Sequence, residues 1–290
     1  MEGGPALRVL TWNLFHGRDW PPDRRLLTVR SRLLRVPELG TTHAQVNRPL
    51  LRHFGGVIGS LPWDVALLQE APPRWLPALC RGLGTHGALA LTSRNAGAPV
   101  RRRVARWNPD LIGSHEGGSN QILVRPPWRV ELVHRLVLAR RPERRRMVCA
   151  RLREPGGRSL TVACVHLTVR DARTAASEAL LAAERASGWA EGDPLLLGGD
   201  FNLRPDRAPE AFAELEERFG LSGLTGPRQI DHLLASGLAP VERPHALPAE
   251  AREVPGPRGL RVRLSDHTPV VASYALPGQT GTPIPNRPSS

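Results

Sequence analysis

The chain is predicted to fold as an α/β domain, because apolar strand-like runs alternate with helical segments along its 290 residues. The run at 194–202 is the most informative, since a proline and three leucines predict a short buried strand. Gly198 and Gly199 are expected to end that strand, because glycine lets the backbone turn sharply. Asp200 and Asn202 follow, and on extended chain they would project to the same side.

Further apolar runs predict the other strands, and helical spacing or capping residues predict the helices. Strands are predicted at 7–14, 63–70, 120–124, 128–139, 145–153, 159–167, 230–234 and 267–274. Helices are predicted within 15–62, from the proline pair at 72–73 to about Cys80, from an Asp171 cap to about Trp189, and at 208–219. Residues 84–127 are rich in glycine and arginine and are expected to be irregular outside the strand near Asn120. No linker or short repeat divides the sequence, so residues 1–276 are predicted to form one domain and 277–290 a disordered tail.

The chain carries a formal net charge of +13, and all 40 of its basic residues are arginine. One explanation is attraction to a polyanion such as nucleic acid or an anionic lipid surface. The other is a GC-rich coding bias, which explains the lack of lysine but explains the excess over acidic residues less well. A polyanion, with nucleic acid first, is the favoured partner. An aromatic content of 4% nevertheless argues against a wide base-stacking platform.

The sequence shows no run of about 18 uninterrupted apolar residues, the length that a membrane span needs. Its first residues lack the basic patch and apolar run of a secretory signal, so a cytoplasmic protein is expected. Cys80, Cys149 and Cys164 lack the spacing of a metal site, and the last two lie in apolar runs where small buried side chains are expected.

Polar and charged side chains stand at or beside the ends of the predicted strands. They are Asn13, Glu70, His166, Asp200, Asn202, Asp231, Asp266 and His267. Such groups are costly beside a buried strand unless they are paired, solvated or bound to a metal. Each one alone has an ordinary explanation as a turn residue, but the whole set does not. Its carboxylate and amide oxygens favour Mg²⁺ or Mn²⁺ over a structural zinc ion.

Six short motifs occur in an order that is typical of one superfamily. They are Trp12-Asn13, Leu68-Gln69-Glu70, Val165-His166-Leu167, Gly199-Asp200-Phe201-Asn202, Ile230-Asp231-His232 and Ser265-Asp266-His267-Thr268-Pro269-Val270. Over residues 7–275 the chain resembles the endonuclease/exonuclease/phosphatase superfamily. That group includes deoxyribonuclease I-like and exonuclease III-like nucleases, inositol polyphosphate 5-phosphatases and neutral sphingomyelinases. The resemblance implies a four-layer α/β sandwich, in which two mixed β-sheets pack face to face with helices outside, and makes residues 1–276 a catalytic domain.

The resemblance also implies a metal site. Glu70 resembles the main metal-binding carboxylate, with Asn13 beside the metal and the scissile phosphate. Asp266 would complete a second metal site or hold His267. The implied cofactor is Mg²⁺ or Mn²⁺, and its charge would offset the repulsion between a phosphodiester and an incoming hydroxide.

Catalytic roles follow from the same resemblance. Asp200 resembles the residue that positions or deprotonates the attacking water, and Asn202 would donate to a phosphate oxygen or to that water. His267 would stabilise the phosphorane, and Asp231 would orient a catalytic histidine. His166 matches a histidine that contacts phosphate in the deoxyribonuclease and sphingomyelinase branches. The expected reaction is in-line hydrolysis of a phosphoester.

Other features have two interpretations. Asn120 precedes an apolar strand after a glycine-rich turn, as in the family, and is either a substrate contact or a turn residue. His232 is interpreted as a packing residue, and His43 and His53, placed in the second helical stretch, as surface or structural histidines. The arginine runs at 101–103 and 144–146 would follow a phosphate backbone or form solvated faces, and solvated faces are more usual.

The sequence leaves the substrate open, because substrate choice in the superfamily lies in loops. A nuclease is the leading hypothesis, on the net charge and the histidine at 166. A lipid phosphodiesterase is second, because the sequence shows no apolar hairpin or extended amphipathic face that would indicate membrane docking. An inositol phosphate phosphatase is third, because a lysine-rich phosphate pocket is lacking. A non-catalytic polyanion-binding module is the alternative outside enzymes, and a monomer is expected.

Overall fold

Two mixed β-sheets form the centre of the computed structural model, which describes residues 6–92, 97–112, 117–141 and 144–277. The strands are β1 (Leu7–Asn13), β2 (Glu38–Leu39), β3 (Ala44–Gln45), β4 (Val65–Ala71), β5 (His86–Leu91), β6 (Ser119–Val124), β7 (Arg129–Ala139), β8 (Arg145–Arg153), β9 (Ser159–His166), β10 (Leu195–Asp200), β11 (Asp231–Ser236), β12 (Ala239–Ala246), β13 (Glu253–Pro255), β14 (Arg261–Arg263) and β15 (Val270–Ala275). The helices are α1 (Val29–Leu34), α2 (Leu51–Ser60), α3 (Trp75–Leu83), α4 (Ala98–Trp107), α5 (Ala172–Ala190) and α6 (Pro209–Phe219). Of the predicted tail, 277–290, all but Pro277 lies outside the described residues.

The two sheets pack face to face, as the resemblance implies. One has the strand order β12-β15-β1-β4-β6-β5 and the other β11-β10-β9-β8-β7. Leu67 of the first sheet and Leu196 of the second belong to one buried cluster between them. α2 and α3 cover the outer face of the first sheet around Phe54, while α5 and α6 cover the second around Phe212. The architecture is therefore a four-layer α/β sandwich.

Burial on both faces explains why the central strands are almost continuously apolar. In β1, Val9 faces the cluster between the sheets, whereas Leu10 faces the helices. α5 buries a stripe of small residues that includes Ala175, Ala179 and Ala186, which lets the helix pack close to the sheet. Its first turn is capped by Asp171, whose Oδ1 accepts from Thr174 N at 3.1 Å, as predicted.

The prediction that Gly198 and Gly199 end their strand is wrong, because β10 continues to Asp200. Both glycines are needed inside the strand for close approach. Gly199 has a φ of 137°, and a Cβ there would lie 2.1 Å from the carbonyl oxygen of Val165 on the neighbouring strand. A Cβ on Gly198 would lie 2.8 Å from a methyl group of Leu67 in the facing sheet. Gly198 therefore lets the two sheets approach each other, and Gly199 lets β10 lie close to β9.

Residues 84–127 are more regular than predicted, since they contain β5 and α4 as well as the predicted strand near Asn120. Glycine and arginine concealed both elements in the sequence. β12 was also missed, because its two prolines argue against a strand in the sequence. Proline is tolerated there because β12 is an edge strand.

His43 is not helical. It lies between β2 and β3, and its Nε2 is 2.9 Å from Glu253 Oε1.

Among the helices of the described residues, none has the length and apolar content needed to cross a bilayer.

Candidate active site

The carboxyl ends of two parallel strand pairs meet at one edge of the sandwich. β1 runs parallel to β4 in the first sheet, with Asn13 opposite Gln69. β9 runs parallel to β10 in the second sheet, with His166 opposite Asp200. β11 is antiparallel to β10, so its first residue, Asp231, also lies opposite Asp200. These pairings bring motif residues from distant parts of the chain together.

Asp200 lies at the centre of this group and is 1% exposed. Its Oδ2 accepts a hydrogen bond from Asn13 Nδ2 at 3.0 Å, which joins the two sheets across the site. Its Oδ1 accepts from Asn202 N at 3.0 Å. Nε2 of His166 and Nε2 of His267 lie 3.5 Å and 3.8 Å from Asp200 Oδ2. One carboxylate thus faces two imidazole rings and an amide.

His267 is held by groups on three sides. Its Nδ1 lies 2.7 Å from Asp231 Oδ2, and Trp12 Nε1 donates to its carbonyl oxygen at 3.0 Å. The preceding loop turns at Ser265, which has a φ of 59°. Ser265 Oγ donates to the carbonyl oxygen of Asn13 at 2.6 Å and accepts from His267 N at 3.1 Å. The hydroxyl of Ser265 therefore ties the histidine loop to the end of β1.

Glu70 faces the same site from β4, beside a break in the strand register that follows Leu68. Its φ of 48° is a conformation that residues with side chains rarely adopt. Such backbone persists where the surroundings hold it, and it is common at active sites. Glu70 Oε2 lies 3.0 Å from His16 Nε2, and its Oε1 lies 3.8 Å from His166 Nε2.

Burial and mutual repulsion raise the pKa values of two carboxylates at the site. Burial, followed by the charges of Asp200 and Asp266, raises the pKa of Glu70 to about 7. Burial, followed by the charge of Asp231, raises the pKa of Asp200 to about 6. Burial and mutual repulsion together therefore oppose the ionisation of all these carboxylates at once.

The two histidines differ in charge. Burial lowers the pKa of His267, but the charge of Asp231 and its hydrogen bond outweigh burial and raise that pKa to about 10. Burial and the positive charge of Arg145 lower the pKa of His166 well below its usual value. At neutral pH His267 is a cation and His166 is neutral, so they offer different chemistry to one substrate.

A model of the endonuclease/exonuclease/phosphatase family matches residues 10–267. The chain belongs to this family. Members of the family are metal-dependent phosphoesterases, and the chain is an enzyme of this kind. A comparison with curated protein sequences finds no significant match.

Solved structures of low sequence identity share the fold. A family protein from Bacteroides thetaiotaomicron is 14% identical, with a TM-score of 0.64 and coverage of 94% of this chain and 98% of that one. The mannosyl-6-phosphatase Bt3783 of the same species is 15% identical, with a TM-score of 0.60 and coverage of 92% and 99%. D. rerio TDP2 complexed with a single-strand DNA product is 12% identical, with a TM-score of 0.58 and coverage of 93% and 99%.

The site fits the divalent metal on which the endonuclease/exonuclease/phosphatase family depends. Asp200, Asp231 and His267 bring ligand atoms within 4.8 Å of one another. A metal bound to all three would have to compete with the hydrogen bond between Asp231 and His267. The pKa of Glu70, by contrast, is raised first by burial and then by the charges of Asp200 and Asp266, and a bound cation would relieve both effects. The carboxylates of Glu70 and Asp266 are donors that suit a hard cation, whereas the side chain of Asn13 is bonded to Asp200 and to Phe15 N.

The amide side chains of Asn202 and Asn120 make backbone contacts that the sequence did not predict. Asn202 has a φ of 51°, so the prediction of extended chain from Asp200 to Asn202 is wrong. Its Nδ2 donates to the carbonyl oxygen of Leu167 at 3.0 Å. Asn120 is fully buried, its Nδ2 donates to the carbonyl oxygen of Arg146 at 2.7 Å, and its Oδ1 has no hydrogen-bond partner among the described residues. Their contacts with substrate stay predictions.

His232 is fully buried beside Phe201 and Phe212, with ring centroids 5.6 Å and 5.1 Å away, which agrees with its interpretation as a packing residue. Two residues at the site were missed. His16 contacts Glu70, but it follows β1 in a loop without a strand-end signal. Arg145 is 5% exposed, and its charge lowers the pKa of both Glu70 and His166. The arginine run was visible in the sequence, but the burial of this one member was not.

Proposed function

We propose that the protein is a Mg²⁺-dependent phosphodiesterase that cleaves nucleic acid, with an endonuclease as the first expectation. The observation that carries the proposal is the hydrogen-bonded pair of Asp231 and His267, set 3.8 Å from the buried carboxylate of Asp200. In-line hydrolysis of a phosphodiester needs a base for the attacking water and a fixed positive charge near the phosphorus oxygens, and a neighbouring carboxylate and cationic imidazole supply these.

Asp200 is proposed to take the proton from the attacking water. Its pKa of about 6 leaves it ionised at neutral pH and close enough to that pH to act as a base. Asn13 Nδ2 and the backbone N–H of Asn202 hold the carboxylate in place. The base is therefore oriented before substrate arrives.

His267 is proposed to stabilise the negative charge that develops on the phosphorus oxygens. Asp231 keeps it cationic and fixes its ring, so Nε2 faces the site. Charge placed in advance in a buried site stabilises a transition state more than the same charge would in water. His166, which is neutral, is proposed to contact the phosphate or the leaving group.

Glu70, with Asn13 and Asp266, is proposed to hold Mg²⁺. When bound, the cation supplies positive charge that offsets the charge of the phosphodiester. Mn²⁺ has similar ligand preferences and would be expected to substitute.

Nucleic acid is proposed as the substrate because of the net charge of +13 and the buried Arg145 beside the site. D. rerio TDP2, which shares this fold, has been solved with a single-strand DNA product, and this supports nucleic acid as the candidate. A cytoplasmic location and a monomeric state stay predictions.

The test is nicking of supercoiled plasmid by the purified chain with Mg²⁺, with and without chelator. We expect nicking that is lost with chelator and in Asp200→Asn. Glu214→Gln, on the exposed face of α6, is the matched acidic control and should nick normally. Equal nicking by wild type and Asp200→Asn would contradict the proposal.

A lipid phosphodiester is the second candidate substrate. The structure shows exposed apolar side chains on α1 and α4, including Leu34 and Trp107, which a nuclease does not need. A plasmid that stays intact, with hydrolysis of a phospholipid or sphingomyelin that Asp200→Asn abolishes, would favour this candidate.

A further inference from the structure

α4 has the pattern of an amphipathic helix whose apolar stripe faces outward. Val100, Val104 and Trp107 are spaced i, i+4 and i+7 and so share one face. In a helix that packs on a core this stripe would be buried, but Val100 is 70% exposed and Trp107 is 56% exposed. The only buried residue of α4 is Ala105. The sequence shows no extended amphipathic face, and this short amphipathic helix was not predicted from it.

α1 extends the same surface. Val29 is 71% exposed and Leu34 is 68% exposed, and only Ser31 of this helix is buried. Polar contacts join the two helices, since Asn108 Nδ2 donates to the carbonyl oxygen of Arg32 at 3.0 Å. Val29, Leu33, Leu34, Val100 and Trp107 together are called the α1–α4 face.

Arginines surround the α1–α4 face. α4 contains four of them and no acidic residue, and α1 contributes two more. The guanidinium of Arg35, at the end of α1, lies 5.7 Å from the ring of Trp107. The nearby acidic residue Asp110 is engaged by Arg18, whose Nε lies 2.7 Å from its Oδ1. Among the described residues, the surface thus combines exposed apolar side chains with more arginines than acidic residues.

We propose that the α1–α4 face docks on an anionic lipid bilayer. An interfacial helix places its apolar stripe among the acyl chains and its arginines at the headgroups, with tryptophan at the boundary. Clustered arginines add attraction to anionic lipid. Nucleic acid would use the arginines and could stack on Trp107, but it offers nothing to exposed valine and leucine. A second copy of the chain would bring the same positive charge and be repelled.

A chain of contacts links the α1–α4 face to the active site. Arg18, which holds Asp110 just beyond α4, lies two residues after His16, and His16 contacts Glu70. The carbonyl oxygen of Arg18 accepts from Ser265 N at 3.1 Å, next to the histidine loop. Docking on a bilayer could therefore be felt at the site through these contacts, whichever phosphodiester is the substrate.

The test is cosedimentation of the full chain with vesicles of phosphatidylcholine, with and without phosphatidylglycerol. We expect binding to vesicles that contain phosphatidylglycerol, weakened by salt and by removal of the anionic lipid. The double variant Val100→Ser/Trp107→Ser should lose about tenfold or more in vesicle affinity. Val241→Ser is the matched control, because Val241 is 63% exposed on β12, at the opposite edge of the first sheet from β5.

Thermal unfolding of each variant would check that the fold is retained. Vesicle affinity of the double variant equal to that of wild type, or no binding by wild type, would overturn the proposal. A double variant that loses DNA binding but not vesicle binding would overturn it in favour of a nucleic-acid surface. Asp200→Asn should bind vesicles normally, so failure of this proposal and failure of the proposed hydrolysis are separable.

Discussion

Nδ1 of His267 lies 2.7 Å from Oδ2 of Asp231, although the two residues are 36 positions apart in the chain. The pairing of β11 with β10 places Asp231, and the turn at Ser265 places His267. The charge of the histidine depends on this contact, because burial alone would lower its pKa. Replacement of Asp231 is therefore expected to change the charge of His267.

Asp231→Asn should lower kcat for a phosphodiester by about a hundredfold or more, because His267 would lose its cationic form. The pKa of His267, about 10 in the native protein, should fall once the carboxylate is removed. Since the histidine acts when protonated, the alkaline loss of activity should move to lower pH. A pH profile of kcat measures this shift, and a profile unchanged from wild type would contradict the role of the pair.

Mg²⁺ activation should weaken as pH falls below 7. Glu70 has a pKa of about 7 without metal, so below that pH a proton competes with the cation for its carboxylate. The Mg²⁺ concentration for half-maximal activity should rise by up to about tenfold for each pH unit below 7. Titration of Mg²⁺ at pH 6 and pH 8 measures this. Equal affinity at both pH values would argue against Glu70 as a ligand.

Asp19→Asn should make stability less dependent on pH. Asp19 is buried, and burial raises its pKa to about 7, while its Oδ2 accepts from Val46 N at 2.7 Å. A carboxyl group with a raised native pKa binds more proton folded than unfolded, so its contribution to stability falls as pH rises from about 4 to 7. Asparagine keeps the acceptor without the charge, so the variant should be more stable at pH 8 by about 1 kcal/mol or more. Denaturant unfolding at pH 5 and pH 8 measures this, and an undiminished pH slope would contradict it.

Arg145→Gln should raise KM for a phosphodiester more than it lowers kcat, because the arginine offers charge to the substrate beside the site. It should also raise the pKa of His166, which the arginine now lowers. Arg129→Gln, exposed on the neighbouring strand β7, is the matched control and should leave both constants unchanged. An NMR titration of the His166 ring measures the second effect. If KM and the pKa of His166 in Arg145→Gln equal the wild-type values, the proposed role of Arg145 is contradicted.

Gly199→Ala should destabilise the protein by about 2 kcal/mol or more, since the new Cβ would meet the Val165 backbone at 2.1 Å. Gly188→Ala is the control. It lies in α5, its Cβ would meet nothing within 4 Å, and alanine there should be neutral or stabilising by about 0.5–1 kcal/mol. Thermal unfolding compares the two, and similar melting temperatures would show that the glycine at 199 is not required.

The strands around the site could be predicted because burial on both faces leaves a continuous apolar run with a polar residue at its end. β9 and β10 are of this kind, and so is β4 with Glu70. α4 could not be predicted this way, because its apolar stripe is short and lies among four arginines. Its pattern has meaning only once the exposure of Trp107 is known.

The motif residues could be placed at one site from the resemblance, but their contacts could not. His16 reaches Glu70 through a loop in which two successive residues have positive φ, and the sequence carries no signal for that conformation. Asn202 depends on the same kind of backbone, which redirects its amide to Leu167. The position of Arg145 at the site could not be predicted, because a run of three arginines does not reveal which of them is buried.

The most direct test is hydrolysis of bis(p-nitrophenyl) phosphate by the purified chain, before and after metal is removed and Mg²⁺ is restored. We predict activity that disappears with chelator, returns with Mg²⁺, and falls by about a hundredfold or more in Glu70→Gln and in Asp200→Asn. Hydrolysis within about tenfold of wild type in either variant, or hydrolysis that survives complete removal of metal, would contradict the central claim that this site is a metal-dependent phosphodiesterase centre.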